Sequence, residues 1–232
     1  MKSLFKTIAF IVTIVSIGTI SSCSDDEQTY DPYHDWQARN TEWFASVADS
    51  ARTAIAKARA QYGDDWQEHC QWRMYKRLDH AQDYNTGNLT DSICVRVVNQ
   101  GTGDYSPTWS DTIRLSYRGW MMPTTYRLYD ADNQLVDSLM QEVIDQSYYG
   151  VFDAQTAAPV LSPTSAFITG YSTALQYMVE GDDWMVYIPQ QLAYGTSDHG
   201  TIPAYSTLLF RIHLAAIYPA GSGVPTWKAR RR

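Results

Sequence analysis

The sequence predicts an α+β fold: an N-terminal helix, then an antiparallel β-sheet wrapped around one short α-helix. Three observations carry this. Between 36 and 62, apolar residues recur at spacings of three and four. From Ser92 onward, β-branched and aromatic runs separated by turn signals dominate. Only one segment among those runs, 170–178, reads as helical, which is the pattern of an α+β domain. At 232 residues the chain is long enough for one good domain with an appended element.

In the first helix Trp43, Phe44, Val47, Ala51, Ile55, Ala58 and Tyr62 form one stripe, and 45–60 is rich in the helix formers Ala, Arg and Lys. Gly63 before Asp64 reads as its stop. Two readings of the stripe stand open. One is a homodimer interface; the other, favoured because so short a helix makes a weak coiled coil, is packing on its own domain. The segment 36–91 is thus an N-terminal helical extension, within which 70–78 fits either strand or helix and Asn85-Thr86-Gly87-Asn88 is a turn signal.

The domain spans 92–218. Residues 92–99 form a strand by β-branched content. Residues 111–121 alternate, with Ile113, Leu115 and Tyr117 on one face and Arg114, Ser116 and Arg118 on the other. A hairpin is expected around Ala131-Asp132-Asn133, and a loop or irregular edge strand at 157–163. The short helix leaves through Glu180-Gly181-Asp182, and strands follow at 184–188 and 208–217. The tail 219–232 contains Gly and Pro, ends in Arg230-Arg231-Arg232 and is expected to be mobile.

Ahead of the helix the chain reads as an export signal. Lys2 and Lys6 precede a mostly apolar run, 4–20, and small residues Ser21 and Ser22. Ile20-Ser21-Ser22-Cys23 resembles a bacterial lipobox. That makes 1–22 a lipoprotein signal peptide and puts lipid on Cys23 as a membrane anchor, each buried methylene contributing about 0.8 kcal/mol. An ordinary signal peptide with a chance Cys is the alternative. Residues 23–35 read as an acidic tether. Its start, Ser24-Asp25-Asp26-Glu27, resembles a surface-export tag of some Gram-negative lipoproteins, or is plain solvated linker. The implied location is the bacterial cell envelope, at the outer membrane, facing the periplasm or the surface. Outside the cytosol, Cys70 and Cys94 either pair as a single disulfide or remain buried free thiols.

Composition narrows the chemistry. A net charge of −7 argues against nucleic acid as a partner. Five His and three Cys are too scattered for a zinc-site spacing, and there is no P-loop, GxGxxG or GxSxG. No metal and no organic cofactor is implied. The aromatic content, 17 Tyr and 8 Trp, is high enough to fill a core and still line a groove.

A series of local signatures is more specific. They run in order: Asp111-Thr112-Ile113-Arg114-Leu115-Ser116-Tyr117-Arg118-Gly119; Phe167-Ile168-Thr169-Gly170-Tyr171; Ala174-Leu175-Gln176-Tyr177-Met178 with Gly181; Ile188-Pro189-Gln190-Gln191-Leu192-Ala193-Tyr194-Gly195; and Ile202-Pro203-Ala204-Tyr205-Ser206-Thr207-Leu208-Leu209-Phe210. Together they resemble FKBP-type peptidyl-prolyl isomerases over roughly 92–217. Two departures stand out. Tyr171 occupies the family's pocket-floor Trp, and the usual Phe-Asp-x-Ser is Ile144-Asp145-Gln146-Ser147. Val136-Asp137-Ser138 and Phe152-Asp153 are rivals for that element. Asp145 is preferred because it keeps both Asp and Ser, whereas Asp153 falls too close to the helix and Asp137 too far from it. The stretch 121–150 is longer than the family's turn, so an insertion is expected at one rim.

The resemblance implies a slot for a proline ring, walled by Tyr117, Ile144, Phe167, Ile168, Tyr171, Ile202 and Phe210. It implies that the Tyr194 hydroxyl and the Ile168 backbone N–H meet substrate carbonyls, and that Asp145 orients Tyr117 or the substrate from the rim. Its substrates would be proline-containing polypeptides, exported or membrane-associated. The alternative is a non-catalytic chaperone or a protein-binding module of a cell-surface complex. His199, in the aromatic loop, is expected to be a solvated loop residue.

Overall fold

The structure, a computed structural model, describes residues 30–78 and 88–228. The expected leader at 1–22, the expected lipidation residue Cys23, the acidic run Ser24-Asp25-Asp26-Glu27, the turn residues Asn85, Thr86 and Gly87, and the terminal arginines 230–232 lie outside the described residues. From Pro32 onward the chain forms one compact unit.

Helix α1 runs over Trp36–Tyr62 and stops at Gly63. Among the described residues, seven strands form the main sheet: β1 (Trp72–Lys76), β2 (Ser92–Asn99), β3 (Thr112–Met121), β6 (Val143–Gln146), β7 (Val160–Pro163), β8 (Asp183–Ile188) and β9 (Leu208–Tyr218). Their spatial order is β1-β2-β8-β9-β3-β6, and β7 also pairs with β3. Every pairing is antiparallel. Between β3 and β6 the chain leaves the sheet to build β4 (Thr124–Tyr129) and β5 (Leu135–Met140), a separate hairpin. Its turn contains Asn133 with φ of 56°, and it is the insertion that the length of 121–150 predicts.

The short helix α2 (Thr169–Leu175) packs against the sheet. Tyr171, Ala174 and Leu175 share one buried cluster with Ile93, Val95, Ile113, Leu115, Val186, Ile188, Phe210 and Ile212. Gly170 allows the close approach: a Cβ there would lie 2.4 Å from Ile188 Cγ2. The entry to α2 is fixed by the Ser172 hydroxyl, which donates to the carbonyls of Thr164 (2.8 Å) and Phe167 (3.3 Å). Thr164 in turn is tied to the Asp111 carbonyl through both its N–H and its hydroxyl.

Four features differ from, or decide between, the expectations. The segment 36–91 is not wholly helical, since β1 lies within it and extends the sheet beside β2. Arg73 and Lys76, two of the five residues of β1, are buried, which masks the strand pattern. Burial of Arg73 is tolerated because its guanidinium donates to the carbonyls of Gln67, Cys70 and Trp72. Of the two readings of the helix stripe, the structure shows packing on its own sheet: Phe44, Ala48 and Ala51 cluster with Met74 of β1 and Cys94 of β2. Cys70 and Cys94 are both free; Cys94 is fully buried, and burial pushes its thiol up to about 12. The tail is tied down as far as Pro225, since Asp111 Oδ1 accepts the Ala220 N–H at 2.9 Å and Arg114 donates to the Pro225 carbonyl.

Candidate active site

The site forms where the central strands β3 and β9 meet the N-terminal end of α2. Gly119 of β3 is paired with Phe210 of β9, and the Phe210 ring lies over the glycine. Tyr171 reaches the same place from the first turn of α2 and meets Phe210 edge-on, at 5.0 Å between centroids and 81° between planes. Phe167 stacks on Tyr171 at 4.5 Å and 15°. Tyr117, two residues before Gly119, stands edge-on to Tyr171 at 6.2 Å and tilted to Phe210 at 6.5 Å. Four of the expected walls are therefore one continuous aromatic cluster, with edge-to-face geometry that rings favour. Tyr171 and Phe210 are its buried base, 2% and 6% exposed, while Tyr117 and Phe167 are half-buried.

Asp145 comes to this cluster from β6. Its Oδ2 accepts the Tyr117 hydroxyl at 2.8 Å, and its Oδ1 accepts the Gln146 N–H at 2.8 Å. Ser147 secures the same tyrosine by its backbone: its Oγ accepts the Tyr117 N–H at 2.8 Å, and its N–H donates to the Tyr117 carbonyl at 2.9 Å. The Asp-x-Ser spacing thus has a physical meaning here, since both residues address Tyr117. The rivals lie elsewhere. Asp137 pairs with Arg127 inside the hairpin at 3.1 Å. Asp153 accepts the Gln155 N–H and the Thr156 hydroxyl in an exposed loop. Ile144 sits at a register break: Gly119 pairs with Asp145 but Trp120 pairs with Val143, which leaves Ile144 as the extra residue of a bulge. It is half-buried against the core.

The other rim is the loop between β8 and β9. Tyr194 and Ile202 both pack against the main core, and Ile168 does so from the residue that caps α2. Tyr194 is overlaid by His199, at 3.9 Å and 8°. His199 is exposed, as expected, but it backs this ring. Sequence alone offers only one signal for that stacking, namely the shared short loop.

Burial and Asp145 dominate the electrostatics. Burial, then the bond to Asp145, pushes the Tyr117 phenol up to about 12. Tyr194 is raised by burial and then by the Asp145 charge, and Tyr171 is raised well above the usual phenol range, mainly by burial. All three keep their protons at neutral pH. Because the folded-state value for Tyr117 lies above its ordinary value of 10, its contribution to stability is complete below pH 10 and is lost as pH rises toward 12. Tyr117→Phe should remove that part of the alkaline loss of stability, read by denaturant titrations between pH 9 and 12; an unchanged profile would contradict the assignment.

Tyr171 also carries a cost. Its hydroxyl is buried with no hydrogen-bond partner among the described residues, and an unpaired buried hydroxyl costs about 1–3 kcal/mol. Tyr171→Phe keeps the ring stacking and removes the orphan donor. It should stabilise the protein by about 1 kcal/mol, an increase in Tm of about 2–4 °C for a chain of this size. A lower Tm would show that the hydroxyl has a stabilising partner.

The described residues contain no His/Cys/Asp/Glu group suited to a metal ion. Comparison with known proteins places the site in context. Residues 103–215 match the sequence profile of the family described as FKBP-type peptidyl-prolyl cis-trans isomerase. The chain is 30% identical over 142 residues to the FKBP-type 22 kDa peptidyl-prolyl cis-trans isomerase of Escherichia coli (60% of this chain, 56% of the relative). It is 42% identical over 154 residues to the macrophage infectivity potentiator of Trypanosoma cruzi (65% of each chain). It is 30% identical over 135 residues to the outer membrane protein MIP of Legionella longbeachae (57% of this chain, 47% of the relative). The chain therefore spans about half to two thirds of the length of these relatives. The aromatic cluster, Asp145, Tyr194 and Ile202 all fall inside the segment that matches the FKBP-type peptidyl-prolyl cis-trans isomerase family.

Proposed function

We propose that this domain catalyses cis–trans isomerisation of X–Pro bonds in exported or membrane-associated polypeptides. The observation that carries the reading is the cluster of Tyr117, Phe167, Tyr171 and Phe210, with Asp145 bonded to Tyr117 at its edge. Rotation about the peptide bond is opposed by amide conjugation, a barrier of about 18–20 kcal/mol. The twisted amide has lost that conjugation, and its carbonyl is less polar. A water-poor slot of rings therefore favours it over the planar, hydrated ground state, and no bond need be broken. In this reading Phe210 and Tyr171 form the floor, and Tyr117, Phe167, Ile168, Ile202 and Ile144 the walls. The Tyr194 hydroxyl and the Ile168 N–H hold substrate carbonyls. Asp145 keeps the Tyr117 ring in place. We place the protein in the bacterial cell envelope, anchored through lipid on Cys23. The N-terminal sequence supports this, as does similarity to a relative named an outer membrane protein.

One observation favours a second role alongside the first, the holding of unfolded chains. The β4–β5 hairpin at the rim presents Leu128, Tyr129, Leu135, Leu139 and Met140 to solvent, with Leu139 72% and Tyr129 69% exposed. Isolated exposed apolar residues are common, but a concentration of them on one inserted element marks an interaction surface. A protease-coupled assay on a short X–Pro peptide, beside aggregation of an unfolded protein, separates the two roles. Acceleration of the peptide supports isomerisation. Suppressed aggregation without it leaves only the holding role.

A further inference from the structure

We propose that the segment 32–40, where the chain enters α1, is a strap that holds both rims of the pocket in position, with Trp36 and Asn40 as positioning residues. Only the kinetic readout below rests on the isomerase reading.

On one side the strap grips the loop before β9. Asn40 is 1% exposed although it lies within a helix. Its Nδ2 donates to the Trp36 carbonyl at 2.8 Å, and its Oδ1 accepts the Thr207 N–H at 2.7 Å. Its backbone carbonyl accepts the Thr207 hydroxyl at 3.3 Å. The Trp36 indole Nε1 donates to Ser206 Oγ at 2.9 Å, and that hydroxyl donates on to the Pro203 carbonyl at 2.6 Å. Pro203 follows Ile202 directly. The same loop is closed on itself by Tyr205 N–H to the Gly195 carbonyl (2.8 Å) and by reciprocal bonds between His199 and Ile202. Whatever fixes 203–207 therefore fixes the frame that carries Tyr194 and Ile202.

On the other side the strap grips the base of the hairpin and the start of β6. The Tyr33 hydroxyl donates to Glu142 Oε2 at 3.0 Å, the oxygen that also accepts the Tyr126 hydroxyl at 3.0 Å. Arg39 donates to Thr124 Oγ1, and that hydroxyl donates to the Pro32 carbonyl at 3.1 Å. Glu142 is two residues before Ile144 and three before Asp145. Tyr33 and Trp36 meet edge-on at 5.0 Å, which joins the two grips.

This arrangement is more than core packing. A buried amide is costly unless it is bonded, and an apolar side chain could fill the same space. Directed bonds to a loop backbone 167 residues away instead set where that loop lies. Loops that carry binding residues are mobile unless a scaffold holds them.

The test uses the full chain and three variants: Asn40→Ala, Trp36→Phe, which keeps the ring and removes the indole N–H, and Tyr33→Phe. Amide resonances and hydrogen exchange are read by NMR, and kcat/KM on an X–Pro peptide is read well below each Tm. Asn40→Ala and Trp36→Phe should shift amides of 194–207 and not those of 143–146, with Thr207 exchange at least about tenfold faster in Asn40→Ala. Tyr33→Phe should show the reverse pattern. Each should lower kcat/KM about threefold to tenfold, a change that loss of global stability alone does not produce in a fully folded sample. If Asn40→Ala does not fold, Trp36→Phe carries the loop arm. Rim amides at wild-type positions, or kcat/KM within twofold of wild type in all three variants of an active protein, would overturn the strap. If the wild type itself leaves the peptide unaccelerated, the isomerase reading fails, and the rim-specific NMR pattern alone decides the strap.

Discussion

Phe210→Ala should lower kcat/KM on a short X–Pro peptide by about 30- to 150-fold, and should destabilise the domain by about 3–5 kcal/mol. The ring is 6% exposed, belongs to the main core and is the partner that Tyr171 and Tyr117 share. Truncation leaves a cavity beneath the slot and lets water reach the floor. The kinetic loss corresponds to about 2–3 kcal/mol of stabilisation of the twisted amide, at roughly 1.4 kcal/mol per factor of ten. Denaturant unfolding gives the stability change, and the peptide assay on folded protein at low temperature gives the kinetic one. Phe210→Leu keeps most of the volume and should lose much less stability. Activity within threefold of wild type in folded Phe210→Ala would remove this ring from the mechanism.

Gly119→Ala is the complementary change and is expected to be nearly as damaging. A Cβ at Gly119 would sit 2.2 Å from Phe210 Cε1 and 2.7 Å from Cδ1, far inside van der Waals contact. The ring cannot tilt away freely because Tyr171 stands edge-on to it at 5.0 Å. Overpacking of this kind costs about 1–3 kcal/mol, and displacement of the floor should lower kcat/KM by about tenfold or more. The two substitutions share one space, so they should not add. In the Phe210→Ala background the added methyl has room, and Gly119→Ala should cost little there, a coupling of at least about 1 kcal/mol. Additive costs would mean that the contact between Gly119 and Phe210 is not what excludes a side chain.

Much of this was legible in the sequence, and the reasons differ between elements. The bounds of α1 follow from a long 3.6-residue period with a glycine stop. Strand β2 is marked by its β-branched run. The segments 188–195 and 202–210 keep residue order and spacing through a loop and two strands, so they placed Tyr194, Ile202 and Phe210 together. The Asp-x-Ser spacing points to Asp145, and the bonds of Asp145 and Ser147 to one tyrosine explain why that spacing matters. Strand β1 is ambiguous because two of its five residues are buried cations, Arg73 held by backbone carbonyls and Lys76 facing the Asp91 carboxylate, partners that no local pattern announces. The bulge at Ile144 needs only one extra residue and leaves no compositional mark. The grip of Trp36 and Asn40 on Ser206 and Thr207 spans 170 and 167 residues, so periodicity cannot register it. Asn40, a polar residue of α1, is among the most buried residues of that helix.

The central claim is that the aromatic slot lowers the barrier to X–Pro rotation. NMR exchange spectroscopy on a short X–Pro peptide tests it most directly, because the uncatalysed interconversion takes roughly tens of seconds and is silent on that timescale. Catalytic amounts of folded wild-type protein should bring cis–trans exchange cross-peaks into view, and Phe210→Ala at the same concentration should leave them at or near background. A well-folded wild type that leaves the peptide at its uncatalysed rate would contradict the account.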